Sequence, residues 1–93
     1  AQLGGADLSS AVFEGANLER CGLVGARAHK TRFDNARMYY CRPGNADMQG
    51  ASFKGADITR AIFRKANLVH ADFSGAEGAA NFENARTDGA TMP

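Results

Sequence analysis

Apolar side chains recur along this chain every five residues. Counting from Ala1 in fives gives Ala1, Ala6, Ala11, Ala16, Cys21, Ala26, Thr31, Ala36, Cys41, Ala46, Ala51, Ala56, Ala61, Ala66, Ala71 and Ala76; thirteen of these sixteen are alanine and the others are small. Two places after each of the first fifteen stands an apolar residue: Leu3, Leu8, Phe13, Leu18, Leu23, Ala28, Phe33, Met38, Pro43, Met48, Phe53, Ile58, Phe63, Leu68 and Phe73. Asp or Asn is frequent between the two slots (Asp7, Asn17, Asp47, Asp57, Asn67, Asp72), and Gly two places after the large residue (Gly5, Gly15, Gly25, Gly50, Gly55, Gly75). A helix repeats at 3.6 and a strand at two, so in either one a period of five would point these side chains in every direction. Each unit must instead re-aim the chain, as a short extended piece followed by a turn. The small and large residues then point inward. Asp, Asn and Gly suit the turn, because Asx side chains bond nearby backbone and Gly accepts positive φ.

The number of sides follows from a longer repeat. Phe13, Phe33, Phe53 and Phe73 are twenty apart, as are Cys21 and Cys41, so four units make one coil and like stacks on like. The segments AVFEG, ANLER, ASFKG, ADITR, AIFRK, ANLVH and ADFSG resemble the A-(D/N)-L-x-x consensus of the pentapeptide-repeat family, in register over residues 1 to 76. The resemblance implies an all-β fold, a right-handed quadrilateral parallel β-helix of about four and a half coils. With ladders roughly 4.8 Å apart the body is expected to be on the order of 20 Å tall. Residues 1–93 are read as one domain, regular over 1–76 and irregular over 77–93.

Composition changes this picture little. Leu, Ile, Val and Phe total only 16 of 93 residues, which by amount alone suggests disorder, but the net charge of +1 and the regular placement argue against it. There is no run of eighteen apolar residues, so no membrane is expected as a partner, and nothing assigns a compartment. The chain begins at Ala1, already inside the repeat, which suggests a segment of something longer. Stability is expected from stacking between coils, with the four phenylalanines as structural core. Pro43 should loosen or bulge its coil, since it lacks a ladder donor. Met48 is expected to lean into space left by Ala28. One residue is missing between Ala76 and Ala80, so the reading gives a kinked final partial coil with Phe82 near Phe63 and the tail covering part of the open end. The uncovered first coil invites end-to-end association or a preceding segment.

Candidate chemistry is sparse. A convex prism offers no concavity for catalysis, so no enzyme activity, cofactor, metal site or small-molecule substrate is expected. His29 and His70 fall on one side but two coils apart, on the order of 10 Å, too far to share a metal ion. Cys21 and Cys41 stack in inward slots and are read as buried free thiols. Arg27, Arg32, Arg37 and Arg42 project from four different sides, with Arg27 between Asp7 and Asp47, and Arg37 between Asn17 and Asp57, for pairing along the stack. Arg20, Tyr40 and Arg60 form a corner column able to make a cation–π stack.

The side built from residues 1–5, 21–25, 41–45 and 61–65 has no acid, three bases (Arg42, Arg64, Lys65) and low relief around Val24 and Ile62. Those five residues are the candidate face for a protein partner or self-association. The best-known members of the resembled family are gyrase-protecting proteins whose acidic rod imitates duplex DNA. Ten acids against eleven bases do not supply that array, which leaves a DNA mimic that binds gyrase or topoisomerase as the alternative to an interaction module or rigid spacer. Three bases on one side are too few for strong phosphate neutralisation, so nucleic acid is disfavoured.

Overall fold

The computed structural model describes residues 4–93, and the first inward residues of the count, Ala1 and Leu3, lie outside them. The chain winds as a right-handed quadrilateral parallel β-helix, with an extent of 26 × 23 × 21 Å for its Cα trace. Each contact between coils is an isolated parallel bridge, twenty residues apart from Asp7 with Arg27 and Val12 with Arg32 as far as Asp57 with Glu77. Side one holds 4–5, 21–25, 41–45, 61–65 and 80–84. Side two holds 6–10, 26–30, 46–50, 66–70 and 85–89; side three holds 11–15, 31–35, 51–55, 71–75 and 90–93; side four holds 16–20, 36–40, 56–60 and 76–79.

One repeat shows how five residues turn a corner, because four of its five N–H groups have a partner within the chain. In the unit Ala16 to Arg20, Ala16 N–H closes the preceding turn on Phe13 C=O at 3.0 Å. Leu18 and Arg20 donate to Tyr39 and Arg37 carbonyls of the next coil, Leu18 to Arg37 at 2.7 Å and Arg20 to Tyr39 at 2.8 Å. The Glu19 N–H, which the ladder does not use, donates to Asn17 Oδ1 at 3.1 Å. The Asn17 slot meets the coil above, as Arg37 N–H does when it reaches Ala16 C=O at 2.9 Å. The same Asx turn recurs at Asp7, Asp57, Asn67, Asp72 and Asn81. The fifth residue of every regular unit from Gly5 to Gly75 has positive φ, the third position of a type II turn, hence the Gly and Asn found there.

The inner column is a stack of rings. Phe13, Phe33, Phe53 and Phe73 lie almost parallel, with centroids 5.5, 5.0 and 4.5 Å apart in sequence. Phe63 and Phe82 form a second stack at 5.2 Å, set edge-on to the first at 5.5 Å from both Phe53 and Phe73. Phe33, Phe53, Phe63 and Phe73 are fully buried, whereas Leu8, Phe13 and Leu18 of the first coil and Phe82 of the last are only partly so. Ala28 and Met48 are both fully enclosed, and Thr31, the one buried polar side chain among the described residues, donates its hydroxyl to Leu8 C=O at 2.7 Å.

Two expectations are corrected. Pro43 does not bulge the coil: Ala46 N–H still closes the turn on Pro43 C=O at 3.0 Å and Ile62 N–H still reaches Cys41 C=O at 2.8 Å. The loosening is confined to the one bond that a residue with an N–H would add, which leaves Arg42 and Ile62 without the bridge that the neighbouring columns keep. The tail does not fold over the opening either. It adds a further coil, bridging Ile62 with Asn81, Asn67 with Arg86 and Asp72 with Thr91 at a spacing of nineteen. The missing residue is absorbed at Gly78, where φ is +96° and an added Cβ would lie 2.7 Å from Thr59 Cα.

Candidate functional site

Exposed side chains on this scaffold come from the positions flanking each buried one, so their partners lie one coil up or down. The ion pairs run diagonally. Arg32 meets Glu14 at 2.6 Å, Arg37 meets Glu19 at 2.9 Å, His29 Nε2 meets Asp47 at 2.7 Å and Lys54 meets Asp72 at 3.7 Å, each eighteen residues apart. This corrects the expectation of pairing straight along a column. Arg27 does bridge Asp7 and Asp47 through backbone, and Arg37 bridges Asn17 and Asp57, but the carboxylates are committed elsewhere. Asp7 and Asp57 cap their own turns at Ser9 and Thr59, and Asp47 takes His29. Those turn bonds hold Asp7, Asp57 and Asp72 below the ordinary carboxylate range, chiefly through the Ser9 N–H, the Thr59 hydroxyl and the Ser74 hydroxyl.

Side one carries the residues singled out from sequence. Val24 is 55% exposed, Ile62 is half-buried, and Arg42, Arg64 and Lys65 are exposed. Its expected lack of acid is corrected by the extra coil, which brings Glu83 onto this side at 3.1 Å from Arg64. Arg42 and Lys65 form no ion pair among the described residues. Relief is low beside them. An added Cβ on Gly4 would meet Val24 C=O at 3.1 Å, and one on Gly44 would meet Arg64 C=O at 3.4 Å.

The expectation of an unbroken convex surface is also corrected, because two open clefts are present. The larger, about 430 Å³, lies where side four turns into side one and is lined by Arg20, Tyr40 and Arg42. Arg20 and Arg60 lie over the Tyr40 ring, 5.9 and 5.6 Å from its centroid, and Arg60 Nη1 donates to the Tyr40 hydroxyl oxygen at 2.8 Å. That bond pushes the Arg60 guanidinium above its ordinary range. Tyr39 packs edge-on against Tyr40 at 4.9 Å. Sequence reasoning placed the column but not the cleft, since Arg42 belongs to another unit and the depth depends on how far these side chains reach. The smaller cleft, about 200 Å³, lies on side two between His29, Lys30, Gln49, Gly50, Val69 and His70.

Among the described residues no group of three His, Cys, Asp or Glu is placed to hold a metal ion, and no helix is long and apolar enough to cross a membrane. Cys21 and Cys41 are free and buried, and burial followed by the neighbouring Cys21 pushes the Cys41 thiol up to about 12.

The chain is similar in structure to HetL, a pentapeptide repeat protein involved in heterocyst differentiation regulation from the cyanobacterium Nostoc sp. strain PCC 7120, with 30% identity, a TM-score of 0.84 and coverage of 100% of this chain and 47% of that one. A pentapeptide repeat protein of the Arabidopsis thaliana thylakoid lumen matches at 27% identity and TM-score 0.89, covering 96% and 63%. Rfr23 from the cyanobacterium Cyanothece 51142 matches at 25% and 0.79, covering 99% and 60%. The chain thus spans roughly half to two thirds of the length of these structures. No curated protein matches the sequence. The family model for pentapeptide repeats matches eight copies over residues 1–38 and 44–76. With the repeat, the square coil and the stacked phenylalanines in agreement, the chain belongs to the pentapeptide repeat family.

Proposed function

We propose that this chain is a non-enzymatic interaction module, a rigid prism that meets another protein, or a second copy of itself, through side one. Exposed Val24 and half-buried Ile62, two coils apart on a side flattened by glycines, carry the reading. Arg42 and Lys65, which form no ion pair among the described residues, frame these apolar groups with charge available to a partner. Low relief permits close contact, and a partner that covers Val24 removes apolar surface from water at roughly 25 cal/mol per Å². Acids and bases interleaved in diagonal pairs favour this reading over a DNA mimic bound by gyrase, which requires dense negative charge.

Val24→Glu combined with Ile62→Glu tests the proposal. Sedimentation velocity over a concentration series, repeated with any identified partner, should show an associating species for the parent chain and none for the double variant. Equal association by both would remove side one from consideration.

A further inference from the structure

The cleft at the corner between sides four and one is lined by two guanidinium groups, Arg20 and Arg42, and no acid, and a third, Arg60, reaches Tyr40 from the next coil. Arg20, Arg42 and Arg60 form no ion pair among the described residues, nor do Arg27, Lys30, Lys65 and Arg86, whereas Arg32, Arg37, Lys54 and Arg64 each find a carboxylate. The Arg20 and Arg60 guanidiniums lie 5.9 and 5.6 Å from the Tyr40 ring centroid; Arg60 spends one N–H on the Tyr40 oxygen, while Arg20 makes no side-chain hydrogen bond among the described residues. Because Arg60 donates to the Tyr40 oxygen, the phenol retains its own proton to donate. Arg20, Tyr40 and Arg42 line the cleft of about 430 Å³.

The backbone supplies an independent observation. Arg20, Tyr40 and Arg60 occupy turn positions with φ of +58° each. At the same position the other three corners all include Gly, as Gly5 and Gly25, Gly50, and Gly15, Gly55 and Gly75. This corner alone among the described residues has a bulky side chain in each regular coil. Left-handed backbone in non-Gly residues carries a conformational cost that Ser10, Lys30, Asn35, Asn45, Lys65 and His70 bear as well, so what sets this corner apart is the bulk of its side chains in successive coils.

We infer that the Arg20, Tyr40, Arg42 and Arg60 corner receives carboxylate side chains of an acidic segment in a partner protein. Arginine edges match a carboxylate bidentately, and the tyrosine hydroxyl adds a donor. A peptide is favoured over nucleic acid because three guanidiniums at one corner make no extended track for a phosphate backbone, and Arg42 of the cleft belongs to the same side as apolar Val24 and Ile62. This inference rests on side one being the contact face and names the chemistry of its partner.

Both tyrosines of the chain lie at this corner and there is no tryptophan, so intrinsic fluorescence reports the site directly. The parent chain is titrated with a capped peptide of alternating Glu and Leu, with the Gln-for-Glu peptide, with inorganic phosphate and with a short DNA duplex. Saturable change with the Glu peptide alone is expected, weakened about tenfold or more in Arg20→Gln with Arg42→Gln, since truncating one partner of a charge pair acts mainly on dissociation. Equal response to the Gln peptide, to phosphate or to the duplex, or no response to any probe, overturns the proposal. Undiminished binding by the arginine variant overturns it as well, and loss only in Val24→Glu with Ile62→Glu then leaves side one as the contact face without this corner. Circular dichroism melts of both variants confirm that the fold is intact.

Discussion

At the fifth position of each unit the backbone demands positive φ, and the residue present either suits it or bears a cost. Lys30 has φ +57° and forms no ion pair among the described residues, so Lys30→Gly should stabilise by about 0.5 to 1 kcal/mol, the left-handed cost of roughly 1 to 2 kcal/mol less the extra entropy that Gly loses on folding. For a domain of this size that raises Tm by roughly 4 °C or more for each kcal/mol. Gly15 has φ +67° with nothing within 4 Å of an added Cβ, so Gly15→Ala isolates the same cost with opposite sign. Differential scanning calorimetry of the two variants checks both. The capping carboxylates make a separate claim about pH. Asp7, Asp57 and Asp72 are depressed below the ordinary value of 3.8 in the folded chain. Their contribution is therefore complete above that value and lost as pH falls from it through the folded values. Tm should hold steady in this respect above pH 4 and fall below it, and replacing all three by Asn should flatten that fall. Glycine and Asx in their slots were readable from sequence because one atom governs each: a missing Cβ, and an Oδ1 within reach of an N–H two residues on. The diagonal ion pairs were not, since a repeat count places Cα atoms in columns but does not say which way a long side chain leans.

Among elements, the phenylalanine column is the one whose loss reaches furthest. Phe53 stacks on Phe33 and Phe73 and meets Phe63 edge-on, so truncation opens a cavity with neighbours on three sides. Phe53→Ala should cost on the order of 3 to 5 kcal/mol, and Phe13→Ala, at a partly exposed end, clearly less. Urea unfolding of the two variants gives the difference, and equal costs would mean that burial does not grade along the stack. This column was legible at twenty-residue spacing. The second stack of Phe63 on Phe82 was legible only as a neighbourhood, because its ring orientation is set by packing against Phe53 and Phe73 rather than by any spacing.

The whole molecule behaves as one stack in which the inner slots open only when coils separate. Cys21 and Cys41 sit inside it with exposures of 2% and 0%, and Cys41 is held protonated at neutral pH. Neither thiol should react with a disulfide reagent in the native state over minutes, while both should react in denaturant; fast native reaction would show that the coils part locally. The contact face and the corner cleft were only partly visible in the sequence. Side assignments hold for Val24, Arg42 and Ile62, but Glu83 arrives on side one through the coil of nineteen, which a fixed count of five does not follow.

That shortened coil has a broader meaning. In an ordinary strand the loss of one residue turns every later side chain over to the opposite face. Here Gly78 lets a corner be made with one residue fewer, and Phe82 still enters the interior while Asn81, Arg86 and Thr91 still bridge the coil before. Orientation in this architecture is therefore reset at each bend instead of being carried along the chain, so a deletion confined to a bend changes length without scrambling which groups face water.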